Sequence, residues 1–218
     1  MATDAPIAAT PLGSTPALKE WAVIVHALLA GEQVIDLRKG GIREEPRTAG
    51  DGRTRRDFAV PSGRAWLYPT TEHQRADLLR PAYRHWLDLV PAAPVGEPIT
   101  LHGWADIVAV AQISEPEHLE ALDGKTIWTA EYASSRLHWK AREPLWVLVL
   151  RAHRLEEAIV VPWDAAYGGC TSWVDLAGLP ADPSELPSEP ALSDVAFEAR
   201  AKGVADALGD LLTPTSLP

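Results

Sequence analysis

The sequence predicts an α+β fold: a small, mostly antiparallel sheet with helices packed on it and a further helix appended at the C-terminal end. Three observations predict it. Ile107, Ala109, Ala111 and Ile113 alternate with Val108, Val110 and Gln112, a period of two that suits a strand. Residues 145–150 form a continuous apolar run after Pro144, as in a central strand. Leu18, Ala22, Val25 and Leu29, and later Phe197, Val204, Leu208 and Leu211, recur at helical spacing.

The elements follow in order. Residues 1–15, rich in Ala, Pro, Thr and Ser, read as a disordered leader. One core domain is expected over 16–179. Thr15-Pro16 reads as a helix start, the hydroxyl capping and proline in the first turn, and Gly31 as that helix's stop. A short strand follows at 34–37, then a loop-like stretch at 43–57. Short strands are expected at 58–60 and 65–68. Thr71 and Gln74 fit a capping box for a helix over 72–90, which Pro81 must kink or break. Residues 99–113 read as one long or two short strands, and Ser114 with Glu117 as a second capping box before a short helix. Helical character returns at 130–142, and short strands at 158–161 and 172–174. Pro180, Pro183, Pro187 and Pro190 mark a linker over 180–191, ahead of an amphipathic helix over 192–212.

Composition bounds the function. No apolar run approaches the ~20 residues that span a bilayer, and a membrane partner is not expected. The single cysteine, Cys170, excludes an internal disulfide, so cytoplasm is the expected compartment. The net charge of −10 opposes loose binding to long nucleic acid. The charge is uneven, however: residues 38–80 hold 10 basic against 6 acidic side chains, a basic island in an acidic chain.

Within that island, a strand delivers Arg38 and Lys39 into Gly40-Gly41. Adjacent cations beside a backbone without side chains suit a phosphate or carboxylate; they equally suit a solvated strand-to-turn junction. Arg136 and Lys140 sit four apart on a helix face and form a second cationic cluster. Nine tryptophans are many for this length; Trp139 and Trp173 are the expected stacking partners for a base. The leading functional expectation is thus a nucleotide or nucleic-acid (RNA or DNA) binding module, with Arg38, Lys39, Gly40, Gly41, Arg136 and Lys140 on phosphate. The alternative is a phosphoester hydrolase or nuclease in which Glu44, Glu72 or His73 does acid–base or metal work near Lys39. A structural or protein-interaction role, through the amphipathic tail, is the third reading. Cys170 would need a nearby base to act as a nucleophile. No cofactor fingerprint, paired cysteines or His-x-x-x-His occurs, so neither cofactor nor resident metal is expected.

Several blocks in one order resemble an uncharacterised bacterial family, domain of unknown function 1802. They are Leu18-Lys19-Glu20-Trp21-Ala22, Arg38-Lys39-Gly40-Gly41-Ile42, Leu67-Tyr68-Pro69-Thr70 with Glu72-His73-Gln74, Ser135-Arg136-Leu137 with Trp139-Lys140, and Gly169-Cys170 with Ser172-Trp173-Val174. The resemblance covers about residues 17–178, leaves the later tail as an addition, and implies no activity. Residues 31–38 are also similar to the Gly-x-Lys-Thr-x-Glu-x-Arg segment of ASCH domains, a PUA-like branch. That resemblance implies a barrel-like sheet and base stacking on aromatic rings. Where the segment has Lys and Thr this chain has Gln33 and Val34, so the chemistry of those two positions does not carry over.

Overall fold

The structure, a computed structural model, describes residues 15–39, 47–48, 54–55, 58–90, 93–140 and 143–215. Strand β1 (Ala17–Trp21) runs directly into helix α1 (Ala22–Leu29), and β2 (Ile35–Arg38) follows. The two-residue strands β3 (Arg47–Thr48) and β4 (Thr54–Arg55) pair with each other. After β5 (Arg64–Thr70) come the one-turn α2 (Trp86–Leu89) and the long β6 (Ile99–Ile113). Helices α3 (Pro116–Glu120) and α4 (Ala130–His138) lead to the long β7 (Leu145–Val161). The chain ends with β8 (Trp173–Val174), β9 (Ser188–Pro190), α5 (Asp194–Leu208) and β10 (Thr213–Pro214).

One eight-stranded sheet takes the order β2-β7-β6-β5-β1-β8, with β9 added to β7 and β10 to β6. It is open and mostly antiparallel; β1 and β5 form its parallel pair. The β6–β7 hairpin is the spine, with register shifts at Leu101/Gly103 and Ile107/Ala109. Gly103 is required at the first: a Cβ there would lie 2.2 Å from the carbonyl oxygen of His153. Alternation along β5 divides the core. Ala65 and Leu67 join the cluster that packs α1, α4 and α5, whereas Trp66 and Tyr68 join a second cluster with Leu101, Trp104 and Tyr167.

Three expectations are corrected. The helix start at Thr15-Pro16 is instead β1, because residues 17–21 find backbone partners in β5 on one side and β8 on the other, and tertiary pairing overrides local propensity. Helix α1 begins at Ala22, and the Val23 N–H donates to the distant Gln74 side chain at 3.2 Å. The long helix over 72–90 is absent. His73 takes φ 66°, Arg80 is extended as the residue before Pro81 prefers, and only 3₁₀ turns and α2 remain. The capping box at Ser114 does not form either, since Glu115 is the N-cap of α3 and makes no capping bond.

The strands over 99–113 and 145–150 are found, the second continuing to Val161 and absorbing the one expected at 158–161. The segment 180–191 carries β9, and Ser193 caps α5 by accepting from the Ala196 N–H at 3.3 Å. Phe197, Val204 and Leu208 of α5 are buried in the main core, while Leu211 is exposed. Among the described residues no helix is long and apolar enough to cross a membrane.

Candidate functional site

The end of β1, the end of β2, the turn after β5, α4 and the 169–171 loop meet around one open cleft of about 220 Å³. Lys19, Glu20, Trp21, Arg38, Glu72, His73, Trp128, Tyr132, Arg136 and Cys170 line it. Residues up to about 150 positions apart in sequence thus converge on one surface.

Lys19 is almost fully buried and its ammonium is saturated. It donates to Glu72 Oε2 at 2.8 Å and to the carbonyls of Tyr167 and Gly169 at 3.0 Å each. Three donors meet three acceptors, so Lys19 fixes the Glu72 carboxylate and the 167–169 loop. Gly169 has φ 86° there, the left-handed conformation that glycine adopts without strain. His73, exposed and with a left-handed backbone, stands at the rim beside the exposed Cys170.

Arg38 donates to Glu20 Oε2, and Glu20 Oε1 accepts from the Trp21 N–H at 2.6 Å. Asp36, two residues before Arg38 on the same strand face, is fully buried, and its Oδ2 lies 3.9 Å from the Arg38 guanidinium, with no hydrogen-bond partner among the described residues. Its Oδ1 accepts from the Leu37 N–H at 2.9 Å. Burial, reinforced by the Glu20 charge, pushes the Asp36 carboxyl up to about 7 against the pull of Arg38 and Arg136.

Helix α4 supplies the opposite wall. The Thr129 hydroxyl caps it, accepting from the Tyr132 N–H at 3.2 Å. Tyr132 and Arg136, four apart, share the face that meets the cleft. Buried Gln33 staples the loop before α4: its Oε1 accepts from the Ile127 N–H at 2.9 Å and its Nε2 donates to the Ile35 carbonyl at 3.0 Å. Trp128 is thereby fixed against Trp21 and Tyr132, with ring centroids at 4.9 and 4.5 Å. Among the described residues Arg136 makes no hydrogen bond or ion pair; its guanidinium lies 5.0 Å from the Trp139 ring. A second hollow of about 440 Å³ shares Leu37 and Trp128 with the cleft, and Arg80 and Asp123 on its lining pair with each other.

Arg38, Glu72, His73 and Arg136 line the same cleft. The structure places others elsewhere. Lys39 is buried and donates to the Leu137 carbonyl at the end of α4, where a cation complements the helix dipole. Burial lowers its ammonium pKa, with Arg136 adding to the shift and Glu143 opposing it. Lys140 pairs with Glu143 at 3.6 Å and lies over Trp139, outside the cleft lining. Trp139 is also outside it, and Trp173 stacks on Phe58 at 5.9 Å while its indole N–H donates to the Ala59 carbonyl at 2.8 Å. Gly40, Gly41 and Glu44 lie outside the described residues. Sequence reasoning missed Lys19, Glu20, Trp21, Trp128 and Tyr132. The first three sit in what reads as a helix face; the spacing of Tyr132 to Arg136 was the available signal for the last.

Among the described residues no three His, Cys, Asp or Glu side chains converge as a metal site. A family model described as a domain of unknown function, DUF1802, matches residues 17–203. The match runs through β9 into α5, so much of the tail read as an addition falls within it. No curated protein matches. The crystal structure of ASCH from Zymomonas mobilis aligns at 11% identity and a TM-score of 0.39, over 94% of this chain and 99% of that one.

Proposed function

The chain belongs to the DUF1802 family, and from that premise we propose that its cleft binds a nucleotide or a short accessible stretch of nucleic acid, RNA or DNA. One observation carries the reading. Arg136 is a cation without a carboxylate partner among the described residues, beside a wall of Trp21, Trp128 and Tyr132. A base has a π-face that stacks on such rings, and its phosphate is the anion an unmatched guanidinium attracts. The cleft of about 220 Å³ is open, so a ligand can extend beyond it, and the net charge of −10 repels long duplex.

Titrating the protein with nucleoside monophosphates and short single strands at low salt, followed by tryptophan fluorescence, tests this. Binding that weakens about tenfold or more in Arg136→Ala, with the melting temperature preserved, supports it. No binding of any nucleotide, RNA or DNA overturns it.

Phosphoester hydrolysis is the second reading, supported by His73 and Glu72 on the same cleft. Lys39 is turned into the core and Glu72 gives one oxygen to Lys19, which leaves His73 and the other Glu72 oxygen as the candidate acid and base. Cleavage of labelled nucleic acid with Mg²⁺ or Mn²⁺ that is lost in His73→Ala would favour it. The interaction role rests least well on the tail, whose Phe197, Val204 and Leu208 already pack on the core.

A further inference from the structure

We infer that the cleft selects a guanine-type base, one that presents a ring N–H beside an exocyclic amino group, and that Glu72 reads it. This rests on the nucleotide reading above and deepens it.

The polar groups beside the aromatic wall are unequal in what they still offer. Lys19 has no donor left, because Glu72 and two carbonyls take all three. Glu20 has both oxygens engaged, one by the Trp21 N–H and one by Arg38. Glu72 is different: its Oε2 accepts from Lys19, its Oε1 makes no hydrogen bond among the described residues, and its side chain is 29% exposed on the cleft lining. Oε2 also keeps a second lone pair. Lys19 therefore holds a carboxylate in a fixed direction, and what that carboxylate presents is acceptors only.

An acceptor-only group discriminates among bases by their edges. Guanine offers N1–H and N2–H side by side, matching the two oxygens. Adenine and cytosine offer one amino donor next to a ring nitrogen lone pair that the carboxylate repels. Uracil offers one N–H between two carbonyls. Negative charge at Glu72 also disfavours a phosphate on that wall, which directs the phosphate toward Arg136 on α4 and orients the nucleotide across the cleft.

The test is a fluorescence titration of the full chain with the 5′-monophosphates of guanosine, inosine, adenosine, cytidine and uridine. The expected result is guanosine monophosphate binding about tenfold or more tightly than the adenosine, cytidine and uridine forms, with inosine between. Glu72→Gln keeps an acceptor for Lys19 but replaces one oxygen by a donor. It should bring the guanosine-to-adenosine affinity ratio to about one, with circular dichroism at the titration temperature showing that the variant is folded. Five equal affinities in wild type would overturn the base selection and leave the nucleotide reading standing; no binding by any of the five would overturn both. A guanosine preference that survives in Glu72→Gln would overturn the role of Glu72. Should that variant fail to fold, the inosine-against-guanosine ratio in wild type still decides whether the amino group is read.

Discussion

Two regions of this molecule combine arginine, carboxylate and aromatic rings, and they differ in what they leave unmatched. At β5–β7, Arg64 bonds to Asp106 at 2.8 Å, to Asp182 at 2.6 Å and to Ser184 at 2.9 Å. Its guanidinium lies 4.7 Å from the Trp104 ring, and Trp104 stacks on His153 at 3.9 Å with ring planes 2° apart. Every charge there faces a partner inside the cluster. In the cleft the same residue types leave Arg136 without a carboxylate and Glu72 with an open oxygen. The first arrangement joins strands; the second keeps capacity for something outside the chain. Residue type alone does not separate a brace from a binding site, but the inventory of unmet donors and acceptors does.

The largest effect that would break this comparison is on the brace. Arg64→Ala should cost about 3 kcal/mol of stability, because it leaves buried Asp106 with His153 alone and strips Asp182 of its partner. Chemical denaturation measures it, and a cost equal to that of Arg136→Ala would erase the distinction.

The two buried carboxyls sharpen it with opposite pH signs. Burial pushes Asp106 up, but His153 and Arg64 outweigh this and hold it below the ordinary carboxylate range. Its stabilising contribution is present above the unfolded value and is lost as pH falls through the folded one. Asp36, at about 7, keeps a proton that the unfolded chain has released between about pH 4 and 7. Wild-type stability therefore declines across that window as pH rises. Asp36→Asn should gain progressively relative to wild type as pH rises from 4 to 7. Asp106→Asn should lose relative to wild type above pH 4. Melting curves over pH 2–8 check both, Asp106 below pH 4 and Asp36 above it, and parallel curves for wild type and Asp36→Asn across pH 4–7 would show Asp36 titrating normally.

Smaller is Arg136→Ala, expected to shift stability by no more than about 0.5 kcal/mol while binding weakens. Smallest is Trp139→Ala. It removes a cation–π neighbour of Arg136, so about a twofold loss of nucleotide affinity and little change in melting temperature are expected.

What was legible in the sequence follows from how local each signal is. Alternation in β6 and the apolar start of β7 reflect burial that each strand meets directly, and α5 shows its stripe because one face packs on the core. β1 was not legible: its parallel partner is 49 positions away, and Leu18 and Trp21 also fit the helical spacing that continues through α1. The 72–90 helix failed on His73 and Pro81, whose backbone demands outrank the spacing of apolar side chains. In the site, Arg38, Glu72, His73 and Arg136 stood out by chemistry. Lys39 misled, since its neighbour Arg38 faces the cleft while it faces the core; period two along an extended chain sends adjacent side chains to opposite sides.

The place of β1 in the sheet sets an order of assembly. During synthesis at ~5–20 residues per second, β1 emerges roughly 150 residues before β8 and the 169–171 loop, so it waits many seconds for the last of its neighbours. Lys19 cannot find the carbonyls of Tyr167 and Gly169 until then. The cleft is therefore among the last features to close, and a released chain truncated near residue 160 would keep β1, β2, β5, β6 and nearly all of β7 yet lack the carbonyls that hold Lys19.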